Sequence, residues 1–478
     1  MHKRWLVSCL VFACAVAGGM SPVTTVAQGL RVGTFVVDAS PAIGSPLAYD
    51  PTKEVTVPLS CRGIVIVGQD QPIVLCAIDW LGVANQANVV FREKIAQAVG
   101  TDPGRVVVHS LHQHDAPRCD LSAVEILQEY GQAEKHFDVP FIHDVMDRTG
   151  QAAKQAAQAA VTVATLSYGE AEVREVASNR RMLGPDGIVH TTRYTACKDP
   201  SIRELPVGVI DPWLKSLTFN GAEGPIAVLT FYATHPQSYY RTGGANPDFP
   251  GMARDQRQQA TGVFHLHFNG AGGNIGAGKY NDGSPENRQI LADRVADGMR
   301  RALETRQTQE LPQELSWSQV EAHIPVGQHL AEPELVGLVA DDATPFATRC
   351  HSAEQLAFLR RANGQGLVTI PVSRLRLGSQ EILFMPGELF VEYQLAAAAM
   401  KPKSKVMMAA YGDYGTGYIG TRVAYPQGGY EVSDRASNVS PAVESALVDA
   451  MRSLLEPTDP RVLPSDFTER SGPLPEVK

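Results

Sequence analysis

The 478-residue sequence predicts an α/β domain of mixed and parallel β-sheets layered with helices. Three observations carry that class. Strand-like and helix-like stretches alternate from residue 30 to about 455. Several strand-like stretches are short β-branched or wholly apolar runs, the pattern of strands covered on both faces. Residues able to do chemistry recur just past those runs, where α/β proteins tend to place their sites.

In chain order, residues 63–67 and 73–78 read as strands around the turn Gly68-Gln69-Asp70. Residues 88–99 carry Phe91, Ile95, Ala98 and Val99 at helical spacing and stop at Gly100, a good carboxyl cap. Residues 105–110 form a β-branched strand that runs into His112-Gln113-His114. Residues 141–161 form a long Ala-rich helix. Residues 225–234 are a strongly apolar strand ending at His235. Residues 263–268 are a strand followed by the Gly-rich segment 270–278. Residues 285–305 are an amphipathic helix with Pro at its start. Residues 381–385 lead into Pro386-Gly387-Glu388, residues 389–400 are a helix, and residues 405–410 run into a segment ending at Tyr418. Residues 307–350 look less regular and are read as an excursion or lid. No internal repeat stands out.

The bulk numbers bound the function. A hydrophobic fraction of 44% and a charged fraction of 19% are those of a globular chain. A net charge of -9, without a long basic stretch, argues against nucleic acid or an anionic membrane as partner. His2, Lys3 and Arg4 precede a short apolar run, and Thr25-Val26-Ala27 offers a cleavage point, so residues 1–27 read as a signal peptide. A lipoprotein anchor at Cys14 is a minor alternative that Phe12 fits poorly. No later stretch is long and apolar enough for a transmembrane segment. The organisation expected is a signal peptide at 1–27, a catalytic domain at 28–455 and a Pro-rich tail at 456–478, in a secreted or periplasmic protein. Beyond the leader, Cys61, Cys76, Cys119, Cys197 and Cys350 make an odd set with no Cys-x-x-Cys, which speaks against a thiolate zinc site.

His112 and His114 are two apart on an extended segment and point to the same side. His112, His235, Asn274, Glu388 and Tyr418 each follow an apolar strand run, so strands sharing one sheet direction would converge their loops on one edge. Two imidazoles and a carboxylate suit catalytic zinc with an open position for water. His-Glu-x-x-His and Gly-x-Ser-x-Gly are absent. Each residue also has an ordinary explanation. Glu388 can cap a helix, Tyr418 and Tyr430 can pack, Arg180 can pair a surface acid with Arg181 equally available, and His235 can be a satisfied core histidine. His109, His265 and His267 lie within strands and read as structural.

These segments resemble, in order, the neutral/alkaline (non-lysosomal) ceramidases, over roughly residues 30–454. Leu111-His112-Gln113-His114-Asp115-Ala116-Pro117 is similar to that family's Thr-His-Thr-His-Ser-Gly-Pro. Asn179-Arg180, Ala233-Thr234-His235-Pro236, the Gly-rich segment through Asn274 and Ile275, Pro386-Gly387-Glu388, Tyr418-Ile419-Gly420-Thr421-Arg422 and Gly429-Tyr430-Glu431 match further motifs. The resemblance implies a ceramidase-like catalytic fold with Zn2+ held by His112, His235, Glu388 and Tyr418. It also implies His114 near the attacking water or leaving group, and Arg180 and Tyr430 polarising the substrate. The activity implied is hydrolysis of an N-acyl sphingoid or other N-acyl amide by metal-activated water. The pattern departs from the family at Asn274 and Gly276, where Asp and Ser are usual, and at Asp115-Ala116 in place of Ser-Gly. The family's carboxyl-terminal β-sandwich also has no counterpart in the short stretch after residue 455. The expectation is an exported zinc-dependent amide hydrolase acting on a small-molecule or lipid N-acyl substrate. Alternatives are an ester hydrolase on the same metal site and a non-catalytic lipid- or carbohydrate-binding protein. The Gly-rich loop does not fit a nucleotide fingerprint. Oligomeric state is not legible in the sequence.

Overall fold

The computed structural model describes residues 23–26, 29–131, 136–312 and 314–469. The leader read at residues 1–27 lies outside these apart from Val23–Val26, as do residues 470–478 of the tail.

Three five-stranded sheets share one plan. In the first, Arg31–Asp38, Ser60–Val67 and Ile73–Ile78 pair antiparallel in turn, the helix Asn85–Val99 crosses over, and Val106–Ser110 adds parallel to Ile73–Ile78. The second repeats this with Thr165–Glu172, Trp213–Gly221, Gly224–Tyr232, the helix Asp248–Thr261 and Phe264–Asn269. The third uses Glu314–Pro325, Leu367–Leu377, Gln380–Phe384, the helix Val391–Met400 and Lys405–Ala409. A closing helix then packs on the first strand of its own sheet: Val139–Gln158, Glu286–Glu304 and Val443–Leu455 respectively. Val161–Thr162 and Gln307–Glu310 follow the first two closing helices and add the fifth strand, while Val23–Val26 takes that position in the third sheet.

The internal repeat that the sequence did not disclose is therefore one of topology. Its modules share an order of apolar runs and turns rather than identical residues. Each contributes one parallel pair to a mixed sheet, and the crossover helix supplies the long connection that parallel strands need.

Alternation along the strands builds two kinds of core. Ile64, Leu75 and Val107 of the first sheet, Phe219, Leu229 and Phe268 of the second, and Leu375, Ile382 and Met407 of the third meet in one buried cluster. The opposite faces of the first and third sheets, with Val65, Cys76, Val108, Leu383 and Met408, pack under helices. Burial on both faces explains why these strands read as continuous apolar runs. All five described cysteines are buried and free, and Cys61 and Cys76 place their sulfurs 3.3 Å apart.

Residues 307–350 correct the sequence reading. They hold the twelve-residue strand Glu314–Pro325, the helix Glu332–Ala340 and the start of Phe346–Arg361. Period-2 alternation was masked because the strand changes sides. Leu315 and Trp317 face the shared core, whereas Ala322 and Ile324, of opposite parity, face the helices. The tail is held to the body as far as residue 469: the Ser465 hydroxyl donates to Glu444 at 2.6 Å, and Gln427 donates to the Glu469 carbonyl at 2.8 Å. Among the described residues no helix is long and apolar enough to cross a membrane.

Candidate metal centre and its cavity

The carboxyl ends of the three parallel pairs meet. Ser110 N–H donates to the Tyr411 carbonyl (3.0 Å), Ala410 N–H donates to the Asn269 carbonyl (3.1 Å), and the Asn269 amide donates to the Leu111 carbonyl (2.6 Å). Three separate sheets are thereby knitted at one point, in place of the single sheet edge suggested by the sequence. The loops leaving that point carry His112 and His114 from the first module, His235 from the second, and Glu388 and Tyr418 from the third. A short parallel bridge pairs Glu388 with Tyr418 directly.

His112 has a left-handed backbone, φ 63°, and so does Tyr411, φ 61°, at the matching position of the third module. Such a conformation is costly for a residue with a Cβ and clusters at functional sites. It brings the two rings into a stack 4.8 Å apart. His112 Nδ1 lies 2.7 Å from the Leu81 carbonyl, so that nitrogen carries the proton and Nε2 presents a lone pair. Nε2 faces Glu388 Oε2 at 3.2 Å, and His235 Nδ1 lies 3.7 Å from the same oxygen. All three atoms are buried and have no hydrogen-bond partner. Glu388 Oε1, in contrast, accepts from the Tyr414 hydroxyl at 2.8 Å. Lone pairs turned toward one another in a water-poor site repel unless a cation lies between them. A divalent ion with nitrogen and oxygen preferences fits this donor set.

His114 joins the cluster: ligand atoms of His112, His114 and His235 lie within 4.8 Å of one another. Its Nδ1 is 3.0 Å from the Pro236 carbonyl, and its Nε2 meets His235 Nε2 at 3.5 Å. Burial, together with His112, holds the His114 imidazole well below its ordinary value, and burial does the same to His235. Both are neutral at neutral pH, as a ligand or a general base must be.

The Tyr418 ring stacks at 6.2 Å on His235, and its hydroxyl accepts from Arg180 at 3.1 Å. Burial pushes the Tyr418 phenol well above its ordinary value while Arg180 acts in the opposite direction. Arg180 is buried; Tyr418 and Glu431 overcome the burial penalty and keep it charged. Arg181 pairs with the other Glu431 oxygen and donates to the Ala424 carbonyl, which anchors the loop. The Tyr430 ring lies 5.8 Å from Tyr418, with the Arg180 guanidinium 6.0 Å from its centre.

Asn274 is absent from the cluster. Its side chain accepts from Val391 N–H and donates to Glu392, and its carbonyl accepts from Arg180 N–H, so it orients Arg180 from behind. A side chain at Gly276 would bring its Cβ within 3.2 Å of Arg180 Cγ. Asp115 accepts from the backbone of Arg241 and Thr242 and fixes the loop beyond His235. His109 and His267 bond within the strands: His109 Nε2 accepts from Asn269 N–H, and His267 Nδ1 meets the Thr230 hydroxyl at 2.8 Å.

The centre opens into a cavity of about 610 Å³ that exposes His114, Arg180, Glu388, Tyr418 and Tyr430. Sequence reasoning assigned no role to Tyr49, Tyr411, Tyr414 and Glu431. Tyr49 stacks on His114 at 6.0 Å, and the others contact His112, Glu388 and Arg180 as described. The signal for two of them was the run of three tyrosines among glycines between 411 and 418. It also missed Arg118, Asp120 and Glu354, which form the far wall.

No family model matches the chain, and no curated protein matches it. Among solved structures it is similar to a ceramidase complexed with C2, at 17% identity and a TM-score of 0.64, covering 94% of this chain and 77% of that one. It is also similar to the neutral ceramidase from Pseudomonas aeruginosa, at 18% identity and a TM-score of 0.63, covering 94% of this chain and 76% of that one. The chain has the neutral ceramidase fold across nearly its whole length.

Proposed function

We propose that this protein is an exported zinc-dependent hydrolase that cleaves the amide bond of an N-acyl substrate with metal-activated water. The observation that carries the reading is the convergence of three buried, unpartnered donor atoms, His112 Nε2, His235 Nδ1 and Glu388 Oε2. The shared fold with neutral ceramidases, amide hydrolases by their name, supports the reaction class.

His112, His235, Glu388 and Tyr418 would hold the ion. Zinc bound there supplies Lewis-acid polarisation of a carbonyl and brings the pKa of water down to about 7. The remaining steps belong to the chain. His114, neutral and with Nδ1 engaged by the Pro236 carbonyl so that Nε2 carries the lone pair, takes a proton from the attacking water and returns it to the leaving nitrogen, which departs poorly until protonated. Arg180 is fixed by Glu431 and Tyr418, and with the Tyr430 hydroxyl it offers donors to the oxyanion without reorganising. The Leu81 carbonyl sets the His112 tautomer, and Tyr414 holds Glu388 so that one oxygen faces the ion.

Metal analysis of the purified protein tests the reading. One zinc per chain, lost in His112→Ala and His235→Ala, with chelator-sensitive release of amine from N-acyl substrates, is the expected result. Full metal content without turnover of any amide or ester overturns it in favour of a binding protein.

A further inference from the structure

The cavity wall carries almost no aliphatic surface. Among the described residues that line it there is no Val, Leu, Ile, Met or Phe, and the only apolar side chains are Ala84, Ala196 and Ala436. A long alkyl chain is driven from water onto apolar surface, and here that surface is ring faces edged by hydroxyls, amides and charges rather than aliphatic side chains. Six tyrosines supply the flat surfaces: Tyr49, Tyr194, Tyr240, Tyr414, Tyr418 and Tyr430. A tyrosine ring offers an apolar face beside a polar tip, a combination suited to the alternating C–H and O–H groups of a hydroxylated ring. Tyr194 and Tyr240 are 46% and 48% exposed, so their tips are open to a ligand.

Gln237 adds a planar amide to this lining, while Asn85, Asn438, Asp120 and the Arg118–Glu354 pair are bonded within the protein. The charges of Arg118 and Glu354 are already matched. Arg118 donates to both Glu354 oxygens at 2.9 and 3.1 Å and to the Ala48 carbonyl at 3.1 Å, and Asp120 accepts from Asn85 and from Ala123 N–H. Arg435 lies exposed at the rim, where water screens it. The wall thus favours a neutral, hydroxyl-bearing group over a free carboxylate or a cation. A volume of about 610 Å³ falls within the ordinary range for small ligands.

We infer that the substrate is a compact N-acyl compound with a short acyl group and a polyhydroxylated amine half, of amino-sugar type, and not a long-chain lipid amide. The inference rests on the hydrolase reading above and names the substrate class of that same site.

The test uses the zinc-loaded full chain with three probes: an N-acetylhexosamine, an N-acetyl amino acid and a 16-carbon ceramide in detergent micelles. Amine release is followed, and binding of the hexosamine to metal-stripped protein is measured by calorimetry. The expected result is a kcat/KM for the hexosamine at least about 100-fold above that for ceramide, because ceramide offers fewer hydroxyls than the sugar and must lay a long alkyl chain against polar-edged rings. Gln237→Leu should lower the hexosamine value about 5- to 10-fold, the worth of one neutral hydrogen bond, with zinc content and melting temperature unchanged. Preference for ceramide overturns the inference, and so does preference for the N-acetyl amino acid. If no zinc binds, the hydrolase reading fails on its own, and calorimetry then decides this one: saturable hexosamine binding upholds it and no binding overturns it.

Discussion

Two groups of ionisable residues line the same cavity and are built in opposite ways. At His112, His235 and Glu388 the facing atoms are buried and unpartnered. At Arg118 and Glu354 the charges are matched within the protein, one guanidinium nitrogen donating to both carboxylate oxygens, and the Asp120 carboxyl is held by bonds from Asn85 and Ala123. Folding alone rewards the second arrangement and penalises the first. The contrast separates donors that could hold a metal ion from wall groups that are bonded to one another.

The sharpest way to break that distinction is to remove a ligand. Glu388→Gln or His235→Ala should abolish stoichiometric zinc by atomic absorption and reduce turnover by at least about 1,000-fold, with the fold intact by circular dichroism. Retention of zinc in both variants would show the unpartnered atoms to be a packing accident.

His114 sharpens the boundary between ligand and base. His114→Ala should keep its zinc and lose about 100- to 10,000-fold in kcat, the usual range for a general base. Loss of zinc in this variant would make His114 a third imidazole ligand.

On the matched wall, Glu354→Gln should leave zinc content alone and cost about 2 to 3 kcal/mol of stability in denaturant unfolding. That lies just below the range of about 3 to 5 kcal/mol for breaking a fully buried pair, since both partners remain 20% exposed. An unchanged midpoint would show that the pair contributes nothing.

The smallest effect concerns pH. Burial pushes the Asp120 carboxyl up to about 8 from 3.8, so its contribution to stability is present below pH 3.8 and is lost as pH rises toward 8. Asp120→Asn should therefore gain melting temperature relative to the parent at pH 8.5 but not at pH 5. Burial moves His109 and His267 the other way, to about 3 from 6.5, so stability falls as pH drops from 6.5 toward 3. Asp120→Asn should not alter that acid limb.

Much of the fold was legible. The runs at 73–78, 225–234 and 405–410 are apolar because both faces of their strands are covered, and each appears as a strand within a residue or two of the expected bounds. The strand Glu314–Pro325 was missed because it changes its buried side midway, which defeats a single period. The threefold plan was missed because backbone pairing and crossover direction define it, and neither requires particular side chains.

In the site, His112 and His114 stood out as two imidazoles two apart just past a β-branched run, and His235 because it ends a strongly apolar strand, whereas Glu388 could also be read as a helix cap. The sequence by itself determined which residue types follow each strand, and with them the chemistry on offer. Only the tertiary structure decided that three sheets meet at their carboxyl ends, that Tyr414 and Glu431 orient the acid and the arginine, and that tyrosines rather than aliphatic side chains line the cavity. The physical reason is distance along the chain. Glu388 lies 276 positions from His112, and nothing local in either segment encodes a separation of 3.2 Å.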